Sequence, residues 1–329
     1  MIRLLTPQND ATAVLLCDKH LSYIKEPRND PTSKIDWLAL REVKDDLSFP
    51  APLQFSYLPA FNAEVVLRDE SGKESLFLAY AGRAEIRNLR IGTRYEWFVR
   101  IGDEISETRT LHTDPQPPRM LYVDGISNVR DFGGFRAGDG QKVRQDMIYR
   151  TSELDTHVSI TEAGKRTLTD DLCIRTDLDI RGIKDEPRSP VLDTERVKWI
   201  NIPLAAYEHV FTAEQLARYG QSYKLLTYPE SYPLIVHCWG GIDRTGTWLY
   251  VLGGMLGVSE EDLGLDYEMS SFSRWGRRSR YSEQFLALRK GLFTYGETFQ
   301  DACTGFMKAG GLTDEELDVI RALLLEKTE

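Results

Sequence analysis

One segment constrains the fold of this chain more than any other: residues 236–246, with the sequence Val-His-Cys-Trp-Gly-Gly-Ile-Asp-Arg-Thr-Gly. The apolar run at residues 233–236 predicts a short buried strand before it, and residues 245–256 predict a buried helix after it. Cys238 is therefore expected on a glycine-containing loop between the end of a strand and the N-terminus of a helix. Amide groups and the helix dipole at such a position favour a bound oxyanion and a thiolate.

Cys238 and Arg244 carry the chemistry that such a loop supports. Cysteines so placed have pKa values lowered from about 8.5 to roughly 3.5–7.5, which makes them nucleophilic thiolates. Arg244 lies where its planar guanidinium can bind two phosphate oxygens. The other contacts with phosphate are expected from backbone amides of the loop, namely those of Trp239, Gly240, Gly241, Ile242, Asp243 and Arg244.

The segment resembles the signature of the cysteine-dependent protein tyrosine phosphatase superfamily, His-Cys-x5-Arg-Ser/Thr. Residues 128–134, Asn-Val-Arg-Asp-Phe-Gly-Gly, resemble the Asn-x-Arg-Asp-x-Gly-Gly motif of its bacterial and fungal branch. Three further segments agree with that branch in order and spacing: residues 147–152, 174–181 and 266–270. The resemblance covers about residues 119–329.

The resemblance implies a phosphomonoester hydrolase of the dual-specificity type. Its main expected substrate is phosphotyrosine, and it needs no metal or other cofactor. Cys238 would form a phosphocysteine, and Arg244 would stabilise the charge that develops on the phosphoryl oxygens. Thr245 would hydrogen-bond the sulfur, and His237 would orient the loop, although a merely packed histidine is an equal alternative. The supporting residues implied are Asn128, Arg130, Asp131, Arg150 and Arg181.

The sequence offers two candidates for the general acid. Many tyrosine phosphatases carry the acid in a Trp-Pro-Asp triplet, which does not occur here. Asp243 lies inside the loop, and Asp179 ends a predicted strand. The alternative roles are organisation of the loop for Asp243 and a salt bridge with Arg181 or Arg150 for Asp179. We favour Asp243, and geometry decides between them because an acid has to reach the leaving oxygen.

Departures from the branch bear on the substrate. The branch usually has Lys before the loop Asp, and that Lys is linked with phosphoinositide headgroups. Ile242 stands there, which weakens the alternative of a phosphoinositide or inositol phosphate phosphatase. Four arginines could form a rim for a multiply phosphorylated substrate, although a solvated basic turn is the interpretation we favour: Arg274, Arg277, Arg278 and Arg280. The alternative of another class is a non-catalytic phosphate-binding module, against which the intact Cys238, Arg244 and Thr245 argue.

A Pro-rich stretch, residues 114–118, predicts a stiff linker between two domains. Before it, residues 1–113 show short alternating segments and turns that are typical of a small all-β sandwich. Residues 88–97 resemble a stretch of fibronectin type III domains in which the tyrosine, here Tyr95, makes a corner hydrogen bond. Residues 22–47 fit this pattern poorly and could hold a long loop or a helix near Trp37. This domain is a candidate to bind a protein partner.

After the linker, residues 119–329 alternate between the periods of helix and strand. The alternation predicts an α/β phosphatase domain: a central, mostly parallel sheet flanked by helices, with the active loop at the carboxyl end of a strand. Strands are predicted at residues 175–180 and 197–202. Helices are predicted at residues 161–171, 212–226, 260–267, 282–292, 294–309 and 313–326.

The net charge of −10 and the pI of about 5.2 argue against a basic surface for nucleic acid or membranes. No apolar run of about 18 residues is present, so no membrane span is expected. The N-terminus lacks the apolar region of a signal peptide, and the four spaced cysteines suggest neither disulfides nor zinc. A catalytic thiolate needs a reducing compartment, so the cytoplasm is expected, with an exported form carrying a cleaved leader left open. The expected partner is a phosphorylated protein or a small phosphomonoester.

Overall fold

The computed structural model describes residues 1–25, 46–182, 185 and 188–328. The chain divides into two compact units: residues 1–21 with 50–122, and residues 22–49 with 123–329. The helix that the sequence suggests near Trp37 lies outside the described residues.

The first unit contains two β-sheets, with strand orders β1-β3-β6 and β2-β9-β7-β4-β5, and β8 pairs with β7. Helix α1, Asp18–Lys25, follows β2, and its residues from Ser22 on are assigned to the second unit. The strands are β1 Arg3–Thr6, β2 Ala11–Ala13, β3 Leu53–Leu58, β4 Ala63–Asp69, β5 Glu74–Ala79, β6 Arg83–Ile86, β7 Arg94–Ile101, β8 Glu104–Ile105 and β9 Arg109–Thr113.

Alternation along these strands creates the core of the first unit. Phe55 on β3 and Trp97 and Val99 on β7 are buried, and the rings of Phe55 and Trp97 meet edge to face at 4.9 Å. Apolar side chains of both sheets therefore share one core, as expected for strands with one buried face. Just before β7, Arg90 N–H donates a hydrogen bond of 3.0 Å to the hydroxyl of Tyr95, which lies on that strand.

The second unit is built on a central sheet in which five strands follow the order β11-β14-β17-β15-β16. The pairs formed by β14 with β17, β17 with β15, and β15 with β16 are parallel, whereas β11 is antiparallel to β14. The predicted α/β fold with a largely parallel sheet is thus confirmed. The remaining strands of the chain are β10 Arg119–Met120, β11 Arg130–Asp131, β12 Arg136–Ala137, β13 Gln141–Val143, β14 Ile148–Thr151, β15 Thr176–Asp179, β16 Lys198–Asn201, β17 Leu234–His237 and β18 Leu325–Lys327.

Most of the described helices of the second unit begin where a hydroxyl side chain caps them, whereas the helix Asp243–Met255 has no side-chain cap. The Thr161, Thr212, Ser259, Ser282, Thr298 and Thr313 side chains each accept a hydrogen bond from a first-turn amide. The helices are α2 Glu162–Arg166, which continues as a π-helix over Thr167–Asp171, α3 Ala213–Lys224, α4 Asp243–Met255, α5 Glu260–Met269, α6 Glu283–Leu292, α7 Phe299–Ala309 and α8 Asp314–Leu324. Short 3-10 turns lie at Tyr207–Phe211, Leu225–Thr227, Pro229–Ser231 and Ser270–Phe272.

Two helix predictions were wrong at their ends. The helix expected over residues 294–309 begins only at Phe299, because the Thr298 hydroxyl accepts from Asp301 N at 3.1 Å and caps it there. The helix expected over residues 313–326 ends at Leu324, and the next three residues form β18, which pairs antiparallel with β13. Pairing with a distant strand leaves no periodic signal in the local sequence.

The central strand β17 and helix α4 position the functional loop. The four residues of β17 are all buried, and α4 is buried on almost every side, with Trp248 in its middle. The helix therefore packs within the core as a fixed support for the loop at its N-terminus. Within the part of the chain that the structure describes, no helix combines the length and the apolar character needed to cross a bilayer.

Candidate active site

The loop between β17 and α4 lies at the carboxyl end of the parallel strands. His237, the last residue of β17, is in register with Thr151 of β14 on one side and with Asp179 of β15 on the other. Side chains that end or follow these strands therefore surround residues 238–242. This edge of an α/β sheet is where ligands bind.

The backbone of the loop is turned so that its carbonyl groups face the protein. The carbonyls of residues 239–241 accept hydrogen bonds from outside the loop. Glu153 N donates to the Trp239 carbonyl at 2.8 Å. Asn128 Nδ2 donates to the Gly240 and Gly241 carbonyls at 3.0 and 3.1 Å, and Arg150 Nη2 donates to the Gly241 carbonyl at 2.6 Å. Across a trans peptide bond the next N–H points the opposite way. The amides of residues 240–242 therefore face the inside of the loop, where they can donate to an oxyanion.

Gly241 is needed for this turn of the backbone. Its φ is 63°, in the left-handed region that side chains disfavour. A Cβ at this position would lie 2.1 Å from the carbonyl oxygen of Thr151. The glycine thus permits both the conformation and the close approach of the loop to β14.

A buried charge cluster supports the loop from behind. The guanidinium groups of Arg130 and Arg150 both pair with Asp266, with Arg130 Nε 2.9 Å from Asp266 Oδ1, and Arg130 Nη1 also donates to the Asn128 side chain. Burial would raise the pKa of Asp266, but the two arginines outweigh it and lower that pKa. Burial lowers the pKa of Arg130 to about 10, against the pull of Asp266. These ions fix the donors that hold the loop carbonyls.

Asp131, another predicted supporting residue, serves a neighbouring turn. Its carboxylate accepts from Gly133 N at 2.7 Å and from Asp146 N at 2.8 Å. It therefore shapes the backbone on either side of β12 and β13, while its neighbour Arg130 reaches the cluster behind the loop.

The thiol of Cys238 is prepared as a nucleophile. Burial would raise its pKa, yet the charge of Arg244 and hydrogen bonding by Thr245 together lower that pKa below the ordinary thiol value. The Thr245 hydroxyl is buried, and among the described residues no nitrogen or oxygen atom partners it. That hydroxyl is therefore available to the sulfur.

The guanidinium of Arg244 is paired with Asp185, a residue that the sequence did not single out. Arg244 Nη1 lies 2.6 Å from Asp185 Oδ2, and Nη2 lies 3.3 Å from Oδ1. Gly182 N donates to the same carboxylate at 2.8 Å. Burial opposes ionisation of Asp185, but its bonds to Arg244 lower the pKa of the carboxyl group. A phosphate oxygen that binds Arg244 has to compete with this carboxylate.

His237 is held as an imidazolium beneath the loop. Its Nε2 lies 3.0 Å from Asp177 Oδ1, and its Nδ1 lies 3.3 Å from the carbonyl oxygen of Cys238. Burial would lower its pKa, but Asp177, with Asp179 at 4.0 Å, raises the pKa of His237 to about 9. A protonated ring donates from both nitrogens, so His237 links the Cys238 carbonyl to Asp177 of the sheet.

Asp243, the first residue of α4, is held by three hydrogen bonds from two side chains at the edge of the site. Tyr207 Oη donates to Asp243 Oδ1, Arg278 Nε donates to the same oxygen at 2.8 Å, and Arg278 Nη2 donates to Oδ2 at 3.1 Å. Tyr267 Oη lies 2.6 Å from Tyr207 Oη. Burial raises the pKa of Asp243, but Arg278 and Tyr207 outweigh it and lower that pKa. Its side chain remains 37% exposed.

Asp179, the other acid candidate, is fully buried and bound to Arg181. Arg181 donates to it from its own backbone N at 2.9 Å, from Nε at 3.0 Å and from Nη2 at 2.9 Å. Arg181 Nη1 also reaches Glu153 at 3.2 Å and Asp155 at 2.6 Å. Burial raises the pKa of Asp179, but His237 and Arg181 lower it overall. The Asp179 carboxylate has no exposed surface and lies in a cluster of paired charges.

Two of the rim arginines have carboxylate partners. Arg278 binds Asp243, and Arg280 Nη2 lies 2.8 Å from Glu268 Oε2. The Arg274 guanidinium lies 5.9 Å from the centre of the Trp275 ring. Arg278 and Arg280 are therefore bound to carboxylates rather than presented as open cations.

The structure brings together most predicted site residues and adds several that sequence reasoning missed. Cys238, Arg244, Thr245 and His237 lie at the loop, while Asn128 and Arg150 contact its carbonyls. The missed residues that contact the loop or its functional side chains are Glu153, His157, Asp177, Asp185 and Tyr207. Asp177 had a detectable signal, since it points to the same side of β15 as Asp179. Glu153, His157 and Asp185 lie in loops, and Tyr207 begins a short 3-10 turn, so none of the four has a periodic pattern.

Comparison with known proteins identifies a family for this chain. The model of the tyrosine phosphatase family matches residues 121–326, more than half of the chain. The chain is also similar to a protein of Cupriavidus necator named "Putative tyrosine-protein phosphatase". The two are 24% identical over 210 residues, which cover 54% of this chain and 74% of that relative.

Among solved structures, the chain is similar to the catalytic core of the PP-IP phosphatase Siw14 from S. cerevisiae and to PTPMT1 in complex with PI(5)P. Siw14 is 16% identical with a TM-score of 0.30, and the match covers 39% of this chain and 72% of that one. PTPMT1 is 17% identical with a TM-score of 0.31, and the match covers 50% of this chain and 97% of PTPMT1. With scores this low, the likeness carries no argument about this chain.

Proposed function

We propose that this chain, which belongs to the tyrosine phosphatase family, hydrolyses phosphotyrosine through a phosphocysteine formed on Cys238. One observation carries the proposal: a buried thiol of lowered pKa lies beside Arg244 in a loop whose amides face inward. Nucleophile, charge clamp and oxyanion cradle are thus together before a substrate binds. Preorganised donors of this kind stabilise charge that develops in a transition state.

The proposed reaction has two steps. In the first, the Cys238 thiolate attacks phosphorus, the bond to the leaving oxygen breaks, and that oxygen takes a proton from the general acid. Arg244 and the amides of residues 239–244 stabilise the equatorial oxygens. In the second, water attacks the phosphocysteine and gives its proton to the same carboxylate. The thiolate then leaves, supported by the Thr245 hydroxyl, and phosphate is released.

We assign the general acid to Asp243 and a positioning role to Asp179. Asp243 begins the helix after the loop and keeps an exposed edge, so it can meet a leaving oxygen that points toward solvent. Asp179 has no exposed surface with which to meet such an oxygen. A bound phosphate adds negative charge beside Asp243, which favours its protonated form.

The leaving-group dependence of two variants tests this assignment. Protonation matters for the poor leaving group of phenyl phosphate and little for p-nitrophenyl phosphate. Asp243→Asn is therefore expected to lose far more activity on phenyl phosphate, and the basic limb of its kcat profile should flatten. If Asp179→Asn shows that pattern while Asp243→Asn loses activity equally on both substrates, the two roles are reversed.

The contacts of the rim favour phosphotyrosine over inositol phosphates. Arg278 and Arg280 are committed to Asp243 and Glu268, and Ile242 supplies no charge at the loop. A substrate with one phosphate needs only the loop itself. With its acid carried on the loop, we place the enzyme in the dual-specificity type, for which phosphoserine and phosphothreonine are slower substrates.

We further propose that residues 1–113 carry a fibronectin type III-like sandwich, formed by residues 1–21 and 50–113, that residues 114–118 are a linker, and that residues 119–329 form the catalytic domain. The compact unit of the catalytic domain also includes residues 22–49. The two sheets with a common core and the hydrogen bond between Arg90 and Tyr95 support the first assignment. Such a domain offers a surface for a protein partner.

A side-by-side assay tests the function. Phosphate release would be measured in EDTA from a phosphotyrosine peptide, a phosphoserine peptide, a phosphoinositide and a soluble inositol phosphate, with Cys238→Ser as control. We expect the highest kcat/KM on phosphotyrosine and no release by the variant. A higher value on the inositol compounds would favour a lipid or inositol phosphate phosphatase. Binding of phosphate without release from any substrate would identify a binding module.

A further inference from the structure

Trp239, the residue after the nucleophile, exposes a large apolar ring at the mouth of the loop. It is 41% exposed, whereas tryptophan is on average among the more buried residue types. Its backbone is fixed, because its carbonyl accepts from Glu153 N at 2.8 Å. The indole is therefore held beside the phosphate cradle without being packed into the core.

His157 supports the indole from one side. The two rings lie with centroids 4.2 Å apart and planes inclined by 34°. His157 is itself anchored, since Glu153 Oε1 accepts from its backbone N at 2.9 Å and lies 2.7 Å from its Nδ1. Glu153 is buried and also binds Arg181. One buried residue, Glu153, thus contacts both halves of an aromatic platform formed by Trp239 and His157: its backbone N–H binds the Trp239 carbonyl, and its carboxylate binds His157.

We propose that this platform is a subsite for the aromatic ring of the leaving group, so that it selects aryl over alkyl phosphomonoesters. The inference rests on the proposed hydrolysis of phosphomonoesters at Cys238. A phosphate bound by the loop places its ester oxygen, and the group attached to it, next to the side chains that border the cradle. A phenyl ring presents a flat face that can stack on the indole, and an alkyl chain presents none.

The rigidity of the platform makes the stacking effective. Ordering a mobile side chain on binding costs free energy, and here the indole is already held by His157 and by the loop backbone. Aromatic contacts of this kind contribute a factor of roughly 2 to 12 in affinity. We expect a preference of that size to depend on the indole.

The test compares selectivity in three variants. The ratio of kcat/KM for a phosphotyrosine peptide to that for the matching phosphoserine peptide would be measured in wild type, Trp239→Ala and Trp239→Phe. We expect the ratio to fall roughly 2- to 12-fold in Trp239→Ala and to stay close to wild type in Trp239→Phe. Tyr228→Ala removes another exposed aromatic ring outside the loop and should leave the ratio unchanged.

His157 provides a second arm that leaves the loop sequence intact. His157→Ala removes the support of the indole and should lower the same ratio, whereas His157→Phe should keep it. An unchanged ratio in both Trp239→Ala and His157→Ala would overturn the proposal. A wild-type protein that hydrolyses neither peptide would contradict the proposed function instead, so the two failures are distinguishable.

A binding measurement separates stacking from damage to the cradle. Titrations of Cys238→Ser and of Cys238→Ser with Trp239→Ala would use phosphotyrosine and inorganic phosphate as probes. We expect the second substitution to weaken phosphotyrosine binding roughly 2- to 12-fold and to leave phosphate binding unchanged. A parallel loss for both probes would show that Trp239 maintains the loop rather than binds the ring, and would overturn the proposal.

Discussion

Behind the phosphate loop, Arg130, Arg150 and Asp266 are buried and paired, whereas at its mouth Arg244 and Asp243 keep contact with solvent. The inner side contains no charge that a substrate can reach. Burial of these three charged groups costs desolvation free energy, which is offset only while each charge keeps its oppositely charged partner. The outer side holds carboxylate pairs that a phosphate would disturb. The charges behind the loop therefore stabilise the folded structure, and the charges at its mouth take part in substrate binding and turnover.

The largest effect on stability is expected behind the loop. Asp266→Ala leaves two buried guanidinium groups without their carboxylate, which should lower the free energy of unfolding by roughly 3–5 kcal/mol. Urea denaturation followed by circular dichroism measures this difference. The control is Asp314→Ala, which breaks an exposed pair with Lys308 and should cost less than about 1 kcal/mol. Equal losses in the two variants would contradict the distinction between the sides.

The next effect is a pH dependence of stability that arises from His237. Its pKa of about 9 in the fold exceeds the unfolded value of about 6.5. The stabilisation is therefore fully present below pH about 6.5 and is lost as the pH rises through about 9, on the order of 3 kcal/mol in total.

Urea denaturation at several pH values between 6 and 10 would measure this loss. The experiment uses Cys238→Ser as the parent, because the lowered pKa of the thiol adds stability as the pH rises, with the opposite sign. In the parent, stability should decline across this range, and the added substitution His237→Gln should remove most of the decline. A decline that persists in the double variant would show that another group titrates.

The smallest effect on stability, but a clear effect on binding, is expected at the mouth. Asp185→Asn removes the anion that competes for Arg244, so inorganic phosphate should inhibit the enzyme two- to five-fold more strongly, equivalent to about 0.4–1 kcal/mol. The control is Asp155→Asn, which removes one negative charge from a carboxylate that is paired with Arg181 rather than with Arg244. It should leave the inhibition constant for phosphate unchanged. Weaker inhibition in Asp185→Asn would mean that Asp185 positions Arg244 for phosphate.

The same comparison explains what the sequence could predict. The loop and its neighbouring strand and helix follow from a short contiguous motif and from apolar periodicity, and the predicted strand at residues 233–236 corresponds to Leu234–His237. Hydroxyl caps such as Thr212 mark helix starts locally as well. These features depend on residues close together in the chain, so a single sequence contains them.

Contacts across the fold leave no such signal. Asp185 meets Arg244 and Tyr207 meets Asp243 across separations of 59 and 36 residues. The last strand, Leu325–Lys327, forms because it pairs with Gln141–Val143, and its local sequence continued a helical pattern. The aspartates predicted as acid candidates looked alike in sequence, and only their burial and partners distinguish Asp243 from Asp179.

Direct detection of the covalent intermediate tests the central claim. Wild-type protein would be mixed with a phosphotyrosine peptide, quenched in acid within the first turnover, digested and analysed by mass spectrometry. We predict one phosphoryl group on the peptide that contains Cys238, and neither this adduct nor turnover in Cys238→Ser. Turnover above a few per cent of wild type in Cys238→Ser, or a phosphoryl group on another residue, would contradict the account.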